Sequence, residues 1–389
     1  MDCSRHDAEM TNPIGPERDQ LPTPPATARG VDLNAGDRCS AIAYSHAQRT
    51  FAVRAGRPGE VLDRASSFSS LLRLAGGQRL AITSDGIGTK VELAERTGRY
   101  DTLGWDLTAM VVDDLAASGT VPLALTNILD VDRPDATVIE QLMTGLERAA
   151  IEAEIAVAGG EIAELGDRVC GWGAGMHFNW CATAIGHLPD GQEALDGSAL
   201  DPGDVLVALA SRAFRSNGFS LARRVLSAHH GPNWHAAPCP AGGTWGEALL
   251  MPARIYCPLV TRLRAAGIML HGIAHITGGG IPAKLGRILR RGRGAAGLGA
   301  RLTALPPEHR SMVELRRLGN LELAQAYRHW NMGTGMILVL PPRAVEACLR
   351  LVAEVGFSGQ VAGTISSEPT IVIEHGDTQL AFPVHGEER

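Results

Sequence analysis

The sequence predicts a two-domain α/β protein built as α+β layers. Its 389 residues exceed what a single hydrophobic core usually spans. Hydrophobic residues make up 45% of the chain and charged residues 20%, which is typical of a globular protein. The predicted strands and helices follow one another without strict βαβ alternation. This order favours α+β layers over a doubly wound parallel sheet.

The chain divides into four segments. Residues 1–29 are polar and rich in proline, which favours an extended N-terminal tail. The strong turn at residues 201–204 follows a boundary near residue 195, so we expect one domain over residues 30–192 and a second over residues 193–370. We expect residues 371–389 to form a C-terminal tail.

Hydrophobic periodicity places the main elements. Strands are predicted at residues 79–83, 156–158, 205–209 and 336–340, and helices at residues 107–117, 137–155, 249–266 and 344–355. In the helix at 137–155, an apolar stripe at helical spacing should be buried: Val138, Leu142, Leu146 and Ala149. Thr137 and Glu140 form a possible capping box at its start. The strand at 156–158 is predicted to be buried and to end at Gly159-Gly160.

Charge and cysteine content exclude several classes of protein. The formal net charge of −6 gives no electrostatic reason to expect a nucleic acid or an anionic membrane as a partner. No stretch approaches the ~18 apolar residues of a membrane helix. The seven cysteines are scattered without a C-x-x-C pair, which indicates a reduced cytoplasmic protein.

Three acidic residues lie on the helix predicted at 107–117 or just before it. Asp106 and Asp113 are seven residues apart, nearly two turns, so they should project from the same face, with Asp114 beside them. Magnesium favours oxygen ligands of this kind. Taken alone, however, such a pattern is more often a solvated acidic helix face.

Two further acids lie beside glycines at strand ends. Asp85 opens the turn at residues 85–90, which ends in Lys90, and Glu161 directly follows Gly159-Gly160. Acids in such positions can present carboxylates to a cleft, while backbone N–H groups and a lysine meet phosphate oxygens. Together these segments suggest a nucleotide and metal site, although a glycine pair alone is usually only a turn.

Other catalytic and binding motifs are missing or accidental. There is no G-x-x-x-x-G-K-[ST] P-loop, and arginines surround the G-x-G-x-x-G match that begins at Gly292. His271 and His275 have zinc-like spacing but no third ligand is evident. Cys170 and Cys181 lack an obvious paired base, so thiol catalysis is not expected.

Eight collinear segments resemble the aminoimidazole ribonucleotide (AIR) synthetase family, and the similarity runs from about Gly30 to Ile365. The matching segments are residues 30–36, 84–90, 106–114, 159–164, 216–221, 252–256, 275–280 and 331–336. The resemblance implies a two-domain α/β protomer and a homodimer whose N-terminal sheets join into a barrel. It also assigns ATP binding and dimerisation to the N-terminal domain.

The resemblance further implies a reaction and its cofactors. The family uses ATP and Mg²⁺ to convert formylglycinamidine ribonucleotide into aminoimidazole ribonucleotide in de novo purine biosynthesis. ATP phosphorylates the formyl oxygen of this small-molecule ribonucleotide, and a nitrogen then closes the ring. Phosphorylation is needed because an amide oxygen is otherwise a poor leaving group.

The resemblance also implies roles for individual residues. It implies catalytic roles for Lys90, Asp114 and Glu161, and metal binding by Asp85, Asp114 and Glu161. It implies nucleotide binding by Asp32, Asp85, Gly86, Gly88, Thr89, Lys90, Asp106, Asp113, Gly159 and Gly160. It implies substrate binding by Arg215, Ser216, Asn217, Gly218, His275, Thr277, Gly278, Gly279 and Gly280. We therefore expect the carboxylates at 85, 114 and 161 to converge on one magnesium-bound triphosphate.

Several positions depart from the family pattern, most of them on the substrate side. This chain has Ser67-Phe68-Ser69 where a Gly-Phe-Gly turn over the nucleotide is usual, Arg215 where histidine is usual, and Ala283-Lys284 where Glu-Asn is usual. A related ATP-dependent enzyme that activates another amide, or phosphorylates another small molecule, is therefore an alternative. A non-catalytic nucleotide-binding or scaffold protein is a third possibility, but the retained acids and Lys90 argue against it.

Overall fold

The computed structural model describes residues 33–62, 67–293 and 297–384. The tail predicted at residues 1–29 and the candidate nucleotide residue Asp32 lie outside the described residues. Among the described residues, no helix has the length and apolar composition that a membrane crossing requires.

The N-terminal half contains a six-stranded sheet in the order β1-β2-β3-β6-β4-β5. Its strands are β1 (Glu60–Leu62), β2 (Ser70–Arg73), β3 (Arg79–Gly86), β4 (Val121–Val131), β5 (Ala156–Glu164) and β6 (Phe178–Leu188). Its helices are α1 (Leu33–Phe51), α2 (Val91–Thr97), α3 (Leu103–Ala117) and α4 (Ala136–Ala153). All pairings are antiparallel except that of β4 with β5, so the sheet is mixed and is not the doubly wound parallel sheet that the prediction disfavoured.

The C-terminal half contains a seven-stranded sheet in the order β13-β12-β9-β11-β7-β10-β8. Its strands are β7 (Val205–Ala210), β8 (Gly272–His275), β9 (Gly299–Leu302), β10 (Thr334–Leu340), β11 (Gly359–Ser366), β12 (Thr370–His375) and β13 (Thr378–Pro383). Its helices are α5 (Phe219–His230), α6 (Trp245–Leu250), α7 (Cys257–Ala265), α8 (Gly280–Leu289), α9 (Arg310–Leu318), α10 (Leu323–His329) and α11 (Val345–Glu354).

Helix α4 follows the predicted apolar stripe but not the predicted cap. All four stripe residues are buried, which confirms the helical periodicity. The capping residue is Asp135, whose carboxylate accepts hydrogen bonds from the backbone N–H groups of Thr137 and Val138. The predicted capping box at Thr137 is therefore wrong, because Asp135 has the extended backbone that an N-cap requires.

Strand β5 differs from its prediction in both length and burial. It continues through Gly159-Gly160 to Glu164 and lies at the exposed edge of the sheet. Its backbone pairs with β4 in parallel as far as Val131 opposite Glu164, so the ladder carries the strand past the glycines. An edge strand has a neighbour on only one side, which leaves most of its residues exposed.

Two predictions in the C-terminal half are corrected by the structure. The helix predicted at 249–266, which Pro252 and Pro258 were expected to bracket or bend, is two helices, because α6 ends at Leu250 and α7 begins at Cys257 with Pro258 in its first turn. The C-terminal tail predicted from 371 is wrong for residues 371–383. There, β12 pairs in parallel with β9 and buries Ile371 and Ile373, while β13 pairs with β12.

Helix α3 is the central element between the two halves. It packs on the N-terminal sheet and on α4, and it also contacts α7 and β8 of the C-terminal half. Its close approach to α4 depends on glycine, since a Cβ on Gly104 would lie 2.2 Å from the backbone of Gly145. The acidic face of α3, which its sequence alone would place in solvent, therefore contacts the C-terminal half.

Candidate functional site

Asp106 of α3 forms a buried ion pair. Its side chain has no exposed surface, and its carboxylate lies 2.7 Å from the ammonium Nζ of Lys90. It also accepts a hydrogen bond from the backbone N–H of Ala253 at 3.2 Å. The interpretation of these acids as a solvated helix face is wrong for Asp106, because the segment between α6 and α7 covers it.

Asp113 is equally buried and contacts the same segment, as expected for two acids on one helix face. Its Oδ1 accepts from the backbone N–H groups of Tyr256 at 2.8 Å and Cys257 at 2.9 Å. Its Oδ2 accepts from Nη2 of Arg215 at 3.1 Å. Asp106 and Asp113 thus connect α3 to the C-terminal half through charge-assisted hydrogen bonds.

Lys90, the predicted phosphate contact, is completely buried at the end of a short 3-10 turn. Besides Asp106, its ammonium group has the carbonyl oxygens of Arg215 at 3.0 Å and Met251 at 2.8 Å as acceptors. An ammonium has three hydrogens to donate, so these groups use its full capacity. Burial lowers the pKa of Lys90, and the nearby Asp106 carboxylate opposes that shift.

Asp85 of β3 and Asp114 of α3 lie close together near the junction, by which we mean the contact between α3 and the C-terminal half. The pKa of Asp85 is raised to about 6, mainly by burial; the hydrogen bond from the backbone N–H of Gly86 opposes the rise, and the charge of Asp114 contributes to it. Burial raises the pKa of Asp114 to about 7, although Lys284 and Arg287 of α8 counteract part of the effect. Two adjacent carboxyls that are costly to ionise fit a divalent cation, which would favour their ionised forms.

Glu161 is not brought to these two acids. Gly86, Cys181, Ile128 and Glu161 are register partners across β3, β6, β4 and β5. Three strand spacings separate the ends of this row by roughly 14 Å, and Asp85, one residue earlier, projects from the opposite face of the sheet. The expected convergence of the three carboxylates is therefore absent within one protomer. Among the described residues, no group of three or more His, Cys, Asp or Glu side chains could hold a metal.

The glycines predicted to bind the nucleotide differ in backbone conformation and in the space around them. Gly88 has a positive φ of 69° and precedes the exposed Thr89 at the start of the 3-10 turn. Gly160 lies against β4, where a Cβ would approach the carbonyl oxygen of Asn127 to 2.6 Å. Gly159 has no atom within 4 Å of an added Cβ, so its surroundings are open.

The two loops predicted to bind substrate lie side by side. Residues 216–218 precede α5 and residues 277–280 lead into α8, and Gly218 and Gly279 are their left-handed N-cap residues. A Cβ on Gly278 would lie 3.3 Å from the side-chain nitrogen of Asn217. The turns before two helices therefore lie side by side, and helix N-termini can bind anions.

Arg215 and His275 are buried, with 2% and 0% of their surface exposed. Nη2 of Arg215 lies 2.7 Å from Nε2 of His275, and Nδ1 of His275 lies 2.7 Å from Oδ1 of Asp114. Burial, reinforced by the charge of Arg215, holds the pKa of His275 well below its usual value. Both side chains thus face the acids of α3, and their separation by 60 residues leaves no local pattern that could have predicted the contact.

A pocket of about 400 Å³ opens beside Thr89. Its wall includes the carboxyl of Glu95, the rings of Trp172 and Phe178, and the guanidinium of Arg223. Glu95 accepts a hydrogen bond from the backbone N–H of Trp172 at 2.8 Å, which fixes this wall. Sequence reasoning did not select these residues, because none of them belongs to a motif and they meet only through the fold.

Two family models match the chain. The N-terminal domain of AIR synthase related proteins matches residues 67–186, and the C-terminal domain of AIR synthase related proteins matches residues 201–376. The first range covers the six-stranded sheet except β1 and the end of β6, and the second covers the seven-stranded sheet except β13.

Individual relatives agree with these models. The chain is 35% identical to a phosphoribosylformylglycinamidine cyclo-ligase of Sorangium cellulosum over 350 residues, which are 89% of this chain and 96% of that protein. It is 34% identical to the enzyme of the same name from Thermococcus kodakarensis over 351 residues, 90% of this chain and 98% of that protein. Thiamine-monophosphate kinase from Stenotrophomonas maltophilia has a similar fold, with a TM-score of 0.57, 21% identity and coverage of 83% of this chain and 93% of the kinase.

Proposed function

Since this chain belongs to the AIR synthase family of phosphoribosylformylglycinamidine cyclo-ligases, we propose that it closes the imidazole ring of aminoimidazole ribonucleotide at the expense of ATP. The observation that carries the proposal is identity of about one third over nearly the full length of curated cyclo-ligases. The alternative of a different amide substrate has no comparable support.

The proposed reaction transfers the γ-phosphoryl group of ATP to the formyl oxygen of formylglycinamidine ribonucleotide and releases ADP. A nitrogen of the substrate then attacks the activated carbon, the C–O bond breaks, and inorganic phosphate leaves with the former amide oxygen. The adjacent loops at 216–218 and 277–280 are suited to the ribonucleotide phosphate, because two helix N-termini lie side by side there.

Asp85 and Asp114 are the residues that would hold Mg²⁺. Their proximity and raised pKa values support this assignment, since a cation would favour the ionised form of both carboxyls. When bound, Mg²⁺ would neutralise negative charge on the transferring phosphoryl group. Lys90 forms an ion pair with Asp106 and donates to carbonyl oxygens of the C-terminal half. We therefore assign it to stabilising the contact between α3 and the C-terminal half.

We propose that a second copy of the chain covers the outer face of the six-stranded sheet. On this face Ile128 of β4 is 53% exposed, whereas Val157 and Ile162 of the edge strand β5 are 40% and 47% exposed on the other face, as register partners of Leu125 and Leu129. Exposed apolar side chains on both sides of an open sheet edge mark an interface, and a barrel formed by two such sheets would cover that edge. Glu161 shares a register row with Ile128, so this arrangement places it at the same interface. Ile128→Glu should convert a dimer to a monomer in light scattering, and an unchanged mass would contradict the proposal.

We place the enzyme in the cytoplasm. The described residues include six cysteines, and all six are unpaired, which suits a reducing compartment. Cell fractionation followed by immunodetection checks this, and recovery in an extracytoplasmic fraction would contradict it.

The activity is tested with purified protein, ATP, Mg²⁺ and formylglycinamidine ribonucleotide. We expect equimolar ADP and ring-closed product, and we expect Asp114→Asn and Glu161→Gln to abolish ADP formation while the protein stays folded. The exposed Asp190 offers a matched control, since Asp190→Asn should retain wild-type turnover. ADP release only with another amide would overturn the assignment of substrate.

A further inference from the structure

We propose that Arg215 is a positioning residue, which fixes the tautomer of His275 and through it the orientation of the Asp114 carboxylate. This inference deepens the proposed function, since it concerns the acid assigned to the metal. The three side chains form a continuous path, with 2.7 Å from Nη2 to Nε2 and 2.7 Å from Nδ1 to Oδ1.

The direction of each hydrogen bond follows from chemistry. A guanidinium can only donate, so Nε2 of His275 must be the acceptor of the Arg215 contact. A neutral imidazole that accepts at Nε2 carries its hydrogen on Nδ1. The Nδ1–H group then donates to Oδ1 of Asp114. Only this tautomer satisfies both contacts.

The guanidinium itself is held in place from several sides. Nη2 also donates to Oδ2 of Asp113 at 3.1 Å, so both of its hydrogens are used, and Nη1 donates to the carbonyl oxygen of Arg254 at 2.9 Å. The ring of Tyr256 lies against the same group, 5.1 Å from its central carbon. A lysine would keep the charge but could not reproduce this fork of donors.

The backbone of Arg215 is also constrained. Its φ is 61°, in the left-handed region that a non-glycine residue rarely adopts. The buried ammonium of Lys90 donates to its carbonyl oxygen at 3.0 Å, which secures that conformation. A strained backbone that is over-determined by its surroundings is typical of functional sites.

The first test is spectroscopic and independent of turnover. In protein with ¹⁵N-labelled histidine, with His275→Asn used for assignment, we expect the ring of His275 to carry its proton on Nδ1 only. In Arg215→Lys we expect that signature to change. A proton on Nε2 in the wild-type protein, or on both nitrogens, would refute the proposal. This result does not depend on whether the variants fold or on whether the enzyme closes the ring.

The second test is kinetic. We expect Arg215→Lys to lower kcat for ADP formation about 10- to 100-fold, the usual effect of removing a group that orients a metal ligand, with little change in KM for the ribonucleotide. Arg262→Lys is the matched control, because the Arg262 side chain is about half exposed and forms a surface ion pair with Glu154 at 2.7 Å. A loss confined to KM would mean that Arg215 contacts substrate directly, and wild-type kcat in Arg215→Lys would also overturn the proposal.

A double-mutant cycle distinguishes positioning through His275 from a general structural role of Arg215. If both residues act through one path, Arg215→Lys combined with His275→Asn should lower kcat no more than the worse single change. Losses that multiply would show that the two residues act independently. Circular dichroism and thermal unfolding of each variant identify any loss that comes from unfolding.

Discussion

Replacement of Asp114 by asparagine should make the nucleotide-free protein more stable while it removes activity. Folding raises the pKa of this carboxyl from 3.8 to about 7. Because each pKa unit corresponds to about 1.4 kcal/mol, ionising Asp114 within the fold costs on the order of 4 kcal/mol. Its side chain is 16% exposed, and solvent reduces that cost, so we expect a gain of roughly 2–4 kcal/mol at pH 8.

The gain should depend on pH in a defined direction. Below pH 3.8 the carboxyl is protonated in both folded and unfolded chains, so the substitution changes little. Between pH 3.8 and about 7 the folded protein holds a proton that the unfolded chain has lost, and wild-type stability falls as the pH rises. Above pH 7 the difference between variant and wild type should stay constant.

Urea unfolding of both proteins from pH 4 to pH 8.5, without nucleotide or metal, measures this difference. The asparagine oxygen can still accept from Nδ1 of His275, so the variant retains the neighbouring contact. Equal or lower stability of Asp114→Asn at pH 8 would refute the reasoning. Addition of Mg²⁺ and ATP should stabilise the wild type and not the variant, because only a ligand that binds the folded state stabilises it.

Three further predictions test the contact between α3 and the C-terminal half, the core and the substrate loop. Lys90→Met should cost about 3–5 kcal/mol in urea unfolding, because it leaves the carboxylate of Asp106 buried without its cation; wild-type stability would contradict the ion pair. Leu142→Ala should lower the free energy of unfolding by about 2–5 kcal/mol. Ile151→Ala on the exposed side of the same helix should change it by less than about 0.5 kcal/mol. Similar losses in both variants would contradict the assignment of buried and exposed faces. Gly280→Ala should unfold or displace α8, since the new Cβ would lie 1.9 Å from a carbonyl oxygen at a φ of 62°; wild-type binding of ribonucleotide by equilibrium dialysis would show that the loop can adapt.

Local sequence patterns were sufficient for many elements and for the family. The apolar stripe of α4 predicted its buried face, because helical periodicity alone decides which side chains can share a core. The strands β7 and β10 lie where short apolar runs predicted them. Eight collinear segments indicated the family that the comparisons confirm, since a long ordered set of motifs cannot easily arise by chance.

Predictions that depended on contacts between distant residues were less successful. The strand at residues 156–158 was predicted to be buried and short, but its partner in the ladder and its edge position determine both properties. The segment 371–383 does carry a local signal that the tail prediction did not use, namely the apolar runs at 371–373 and 380–382 on either side of Gly376-Asp377. Pairing with β9, some 70 residues earlier in the chain, makes it part of the sheet.

The sequence by itself indicated the family, and through that resemblance it predicted that acids on α3, on β3 and beside a glycine pair serve an ATP-dependent ring closure. Only the tertiary structure decided what each acid contacts. Asp106 and Asp113 became buried partners of Lys90 and Arg215, Asp85 and Asp114 became neighbours, and Glu161 projected from the opposite face of the sheet. The reason is physical: spacing along a helix or strand fixes which face a side chain occupies, but charge partners and burial come from chain segments that meet only on folding.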